Sequence, residues 1–227
     1  MMEQWMATVA PWWLAANASD APLLPTLAAQ QVWMHAAWAL VLAWATAALL
    51  HRWTAKPWVP WGAAGAVAMW ACMQGAYAPS YWLGLAFQAP SLTTAGLCVA
   101  ALLRLAGRYE RPGAYKQSSP ARGGVGVWVA MGIAAGWLLL LDTFALLPGV
   151  QLYAWGFGPV APAVLLLVAA LPWVMSGTRA IVWLGAVALA AIFMGLHLPS
   201  GNAWDAVIDP WLWAALHVWA WRLVRQR

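Results

Sequence analysis

The chain has 227 residues, of which 65% are apolar and only 7% charged. An average soluble domain carries roughly 25% charged residues to cover its surface, so this composition excludes an ordinary soluble enzyme and a disordered chain. The net charge of +5 comes from 11 basic and 6 acidic side chains, too few to form a nucleic-acid-binding surface. The expected class is an all-α polytopic membrane protein.

Residues 1–26 carry Trp5, Pro11, Trp12, Trp13 and Asp20. They are expected to form an external segment lying on the membrane surface. Glu3 and the lack of a basic start argue against a signal peptide. A spanning helix needs about 20 mostly apolar residues to cross roughly 30 Å of hydrocarbon. Seven such runs follow, at about 27–50, 62–78, 82–105, 124–142, 157–175, 180–197 and 203–222. Breaks fall at Lys56-Pro57, Pro79-Ser80, the polar run 107–123, Pro148-Gly149, Ser176-Gly177 and Pro199 to Asn202.

Charge orients this bundle. With seven spans, Arg52, Lys56, Arg104, Arg108, Arg111, Lys116, Arg122, Arg179, Arg222, Arg225 and Arg227 all fall on one side. Glu3, Asp20, Asp142, Asp205 and Asp209 fall on the other, and Glu110 alone joins the basic side. The positive-inside rule makes the basic side cytoplasmic, with the N-terminus outside. The expected location is a cell membrane of the bacterial inner-membrane type. Of the 21 tryptophans, many lie near span ends, as an aromatic belt requires, while Trp44, Trp70 and Trp137 fall mid-span.

A shift of 120 residues aligns GAVAMWACMQGAYAPS at 65–80 with GAVALAAIFMGLHLPS at 185–200. Pro90 then meets Pro210, and 31–106 against 151–226 gives 17 identities in 76 positions. The expectation is a parallel duplication: a three-helix bundle at 27–106, a basic cytoplasmic loop at 107–123, a linker helix within 124–150, and a second bundle with a basic tail at 151–227. Parallel repeats recur in transporters, with the site between the halves. This three-plus-one-plus-three plan is similar in outline to the sugar-transporter and PQ-loop class, though no Pro-Gln pair occurs. A retinal-binding opsin would need a lysine in the seventh span, and the only lysines are Lys56 and Lys116.

Ionisable groups within spans are costly and mark function by default. Asn202 is placed to cap the seventh span, with Asp205 three residues on. Asp209, Trp213 and His217 follow at four-residue spacing and share one face, and Pro210 frees the carbonyl of Ala206. Gln88 beside Pro90 falls at nearly the equivalent position of the first half. Gln74 and His197 complete the candidate ligand-binding set, and Ser91, Thr93 and Thr94 add uncharged polarity. His35, His197 and Met194 are also of the types that ligate copper or haem, and His35 with His217 would be the pair for a b-type haem. No metal or cofactor is assigned. Gly132 and Gly136 mark close helix packing, within the chain or in a homodimer.

No HExxH, GxSxG or phosphate loop occurs, so no catalytic role is expected. The sequence supports a small-solute or ion carrier with its site between the bundles. The alternative is a non-transporting subunit that packs against lipids and other membrane subunits, or that binds pigment or haem.

Overall fold

The computed structural model describes residues 23–54, 56, 58–110, 122–147, 149, 151–158, 161–165 and 180–225. The expected external segment as far as residue 22, most of the expected basic loop, most of the expected fifth span and the final two residues lie outside these. All regular structure among the described residues is helical. The helices are α1 (Leu27–Leu50), α2 (Trp58–Ala71), α3 (Pro79–Phe87), α4 (Leu92–Glu110), α5 (Arg122–Thr143), α6 (Leu152–Trp155), α7 (Ala180–Leu196), α8 (Ala203–Val207) and α9 (Pro210–Arg225). A further helical stretch covers 161–165.

Among the described residues two helices are long and apolar enough to cross a membrane: Leu27–Leu50 and Gly126–Thr143. α1 begins where the Thr26 side chain accepts from the Ala29 amide, satisfying one of the orphan donors of a helix start. Its 24 residues reach about 36 Å, enough to cross with some tilt. It is the hub of the first half and packs on α2, α3 and α4. Small side chains permit the close approach: Ala43 and Ala47 meet Ala64 of α2, with Leu102 and Leu105 of α4 around them.

The third and seventh expected spans are not continuous helices. The third divides into α3 and α4, and the seventh into α8 and α9. Proline is the cause in each case. Pro90 and Pro210 lack an amide hydrogen and disfavour helical geometry in the residue before them, and in each case the helix C-cap lies two positions upstream of the proline. Gln88 ends α3 with φ 61° and ψ −166°, and Ile208 ends α8 in extended geometry. Hydropathy runs unbroken across both sites, which is why the sequence reads them as single spans. α2 is also shorter than expected. It stops at Ala71, and Gly75 turns the chain with φ 80°.

A second core joins the two halves. Leu92 at the start of α4 packs with Ala161, Phe193, Leu198, Ala203 and Ala206. α9 lies against α5, and there Gly132 receives Leu216 while Gly136 receives the Trp213 indole. A Cβ added at Gly136 would come within 2.2 Å of Trp213 Cδ1, so only glycine allows this approach. That glycine face is filled from within the chain.

Candidate functional site

A helix that breaks in an apolar setting leaves amides and carbonyls that water cannot satisfy. Each break here is closed by named side chains. Among the described residues the buried polar ones, Ser80, Ser91, Asn202 and Asp209, all serve at such breaks.

Asp209 is the charged member, 8% exposed. It caps its own helix, because Oδ1 accepts from the Leu212 amide at 2.8 Å. Its other oxygen reaches the first half, where Oδ2 accepts from the Ser91 amide at 2.8 Å and from the Thr94 hydroxyl at 2.5 Å. Ser91 in turn caps α4, its hydroxyl oxygen accepting from the Thr94 amide at 3.0 Å. One carboxylate therefore sits at the N-termini of α4 and α9 together. Both helix dipoles direct positive potential at it, which balances the buried charge. Thr93 donates to the Ala206 carbonyl at 3.4 Å, the group that Pro210 was expected to free.

The carbonyl side of the first break is met by tryptophan. Trp38 Nε1 donates to the Gln88 carbonyl at 2.9 Å, and Trp33 Nε1 donates to the Pro90 carbonyl at 3.0 Å. Both indoles come from α1. The same device recurs elsewhere: Trp70 and Trp82 donate to Tyr77 and Ala76, Trp204 to Leu152, and Trp213 to Ile133. The many tryptophans thus act partly as hydrogen-bond donors carried on apolar bodies.

At the end of α2 the Ser80 hydroxyl donates to the Ala71 carbonyl, and His35 Nδ1 lies 2.6 Å from Ser80 Oγ and 3.1 Å from the same carbonyl. A carbonyl only accepts, so this ring nitrogen carries the proton. The start of α8 is held by Asn202, as expected. Its Oδ1 accepts from the Trp204 amide at 2.9 Å, and its Nδ2 donates to the Tyr153 carbonyl at 2.8 Å. Asp205 does not turn to its own helix. It accepts from the Tyr153 hydroxyl at 2.8 Å and the Ser200 hydroxyl at 2.5 Å, while Asp142 accepts from the Tyr153 amide at 2.7 Å. Burial pushes the Tyr153 phenol well above its ordinary range, and the bond to Asp205 and that residue's charge add to the effect.

The expected ligand set does not gather at one point. Asp209 and the Gln88 backbone belong to the same junction, but the Gln88 residue is exposed, as is Gln74. His197 is half-buried, with φ 52° and its ring edge-on to Phe193 at 5.8 Å. His217 lies two turns beyond Asp209 and makes a local bond, Nδ1 to the Trp213 carbonyl at 2.8 Å. Trp213 and Trp137 pack edge-on against it at 4.7 and 6.3 Å. Among the described residues no group of three or more His, Cys, Asp or Glu side chains is placed to hold a metal ion. The sequence reading gave Ser91 and Thr94 no partner, named Ser80 and Asp142 without a bonding role, and did not single out Tyr153. The usable signal was the Pro-Ser pair, which recurs at 79–80, 90–91 and 199–200, a proline followed by a short hydroxyl residue.

No family of known proteins, no curated protein and no solved structure matches the chain.

Proposed function

We propose that the protein is a multi-pass integral membrane protein that does not itself move a solute, a packing subunit whose interior polar groups fix a broken-helix scaffold. The observation that supports this is the use made of its buried polar side chains. Ser80, Ser91, Asn202 and Asp209 are each engaged in holding a helix end. A carrier site must exchange partners with its cargo. Asp209 already accepts three hydrogen bonds, and His217 is packed against two indoles. The outer faces of α1 and α5 are apolar, with Val32, Trp44, Leu49, Val127 and Leu138 exposed, which suits lipid or a partner's helices.

The carrier reading has one observation in its favour. The breaks at Gln88 to Ser91 and at Ile208 to Asp209 sit 120 residues apart, at the offset of the sequence repeat, and they meet. Discontinuous helices paired in this way occur at transport sites.

Reconstitution into vesicles loaded with a pH-sensitive dye separates the two. The packing reading expects proton and alkali-cation leak no greater than in empty vesicles. It also expects cross-linking in native membranes to give a discrete species above the 24.5 kDa chain. A flux that Asp209→Asn abolishes without lowering the melting temperature would establish the carrier instead.

A further inference from the structure

The C-terminal helix α9 presents two different sides. Trp213, Leu216 and His217 turn toward α5, where Gly132, Gly136 and Trp137 receive them. On the opposite side Trp211, Val218, Arg222 and Arg225 are exposed, at spacings of seven, four and three residues, with Trp221 at the edge; the inner edge of Trp211 packs on Trp38 and Phe87, and the rest of its ring stays open. Those spacings place them along one line of the helix surface. Ala214 and Ala215, between Trp211 and Val218, are small and also exposed.

The line changes character along its length. From Trp211 to Trp221 it is apolar, and it ends in two guanidinium groups one turn apart. The apolar part plus the first arginine covers 11 rises of 1.5 Å, about 16 Å, close to the depth of one leaflet's hydrocarbon. The Arg225 guanidinium lies 3.9 Å over the Trp221 ring, which holds it in place rather than leaving it to sweep through water. An arginine so placed presents its fork of N–H donors to a phosphate oxygen pair. Indole at headgroup depth suits the same boundary.

We infer that this face of α9 is a docking site for an anionic phospholipid, with the headgroup phosphate on Arg222 and Arg225 and an acyl chain along Trp211, Ala215 and Val218. Charge complementarity selects the occupant: a neutral partner helix would meet the apolar line equally well but would leave both arginines unanswered. The inference rests on the membrane reading above.

The test uses the full chain in vesicles and compares binding of spin-labelled phosphatidylglycerol with spin-labelled phosphatidylcholine by electron paramagnetic resonance. The expected result is a preference for the anionic lipid that falls about fivefold with Arg222→Gln and again with Arg225→Gln. Trp221→Leu lowers it by a smaller factor, through the lost stacking. Arg104→Gln, at an exposed arginine of α4, leaves it unchanged. Equal preference for the two lipids, or the same loss from Arg104→Gln, overturns the site while leaving a membrane protein. Displacement of the labelled lipid by inorganic phosphate at matched ionic strength reassigns the arginines to a free anion and overturns the lipid as occupant. A chain that stays folded and monodisperse in buffer without any amphiphile removes the membrane reading itself.

Discussion

The Ser91 amide and the Asp209 carboxylate are 118 residues apart in the chain and 2.8 Å apart in space. The contact ties the start of α4 to the start of α9, and each helix receives its N-terminal acceptor from the same side chain. An N-cap is worth about 1 kcal/mol, and a hydrogen bond between membrane helices about 0.6 and at most about 1.7 kcal/mol. Asp209→Ala is therefore expected to destabilise the protein by about 2–3 kcal/mol. Asp209→Ser, which keeps the cap of α9 but cannot bridge, should lose about half of that. Thermal melting in detergent micelles measures both, and equal stability of wild type and Asp209→Ala would refute the bridge.

Gln88 holds a backbone conformation, φ 61° and ψ −166°, that only glycine adopts without strain. Gln88→Gly should raise stability by about 1 kcal/mol, since the carbonyl that Trp38 bonds stays in place. Trp38→Phe keeps the ring and removes the donor, and it should lower stability by about 1 kcal/mol. A Gln88→Gly variant that melts lower than wild type would show that the glutamine side chain, and not its backbone, matters at the break.

The two glycines of α5 are expected to respond unequally. A methyl group at Gly132 meets the tip of Leu216, a flexible side chain that can turn aside. At Gly136 it meets the rigid Trp213 indole, whose Nε1 also donates to the Ile133 carbonyl. Gly136→Ala should cost about 2–3 kcal/mol and Gly132→Ala about 1 kcal/mol, within the usual range for overpacking. Pairing Gly132→Ala with Leu216→Ala should recover part of the loss, a non-additivity that a double-mutant cycle reads directly.

The Tyr153 phenol gives a stability profile with a definite sign. Its folded-state value is raised above the ordinary 10.0, so the folded protein holds this proton more tightly than the unfolded chain. The contribution is complete below pH 10 and is lost as the pH rises above it. Denaturation followed from pH 8 to 11 should show stability falling at the alkaline end, and Tyr153→Phe should flatten that fall. A slope that survives in Tyr153→Phe would assign it to another group.

Several features were legible because they are local. The start of α1 near residue 27 follows from where the apolar run begins, and the cap at Asn202 from a side chain acting within two residues. The small-residue pair at Gly132 and Gly136 announced close packing by its spacing alone. The junction at Asp209 was not legible, since its partners Ser91 and Thr94 come from the other half of the chain. The two divided helices were hidden because apolar side chains continue through the breaks, and the prolines alone read as kinks. His217 shows how a face can mislead. Its spacing from Asp209 suggested a shared polar path, but Pro210 makes Asp209 a cap rather than a turn of the same helix, and the Trp213 carbonyl accepts a hydrogen bond from His217 Nδ1.

The order in which the chain is made sets a schedule for the break after α3. Trp33 and Trp38 leave the ribosome before residues 88–91, so the Gln88 and Pro90 carbonyls meet their donors as soon as that segment emerges. The amide of Ser91 and the hydroxyl of Thr94 wait for Asp209. At about 5–20 residues per second, the intervening 118 residues take roughly 6–24 seconds to synthesise. Throughout that interval a nascent chain carries two donors at one end of α4 whose acceptor has not yet been made.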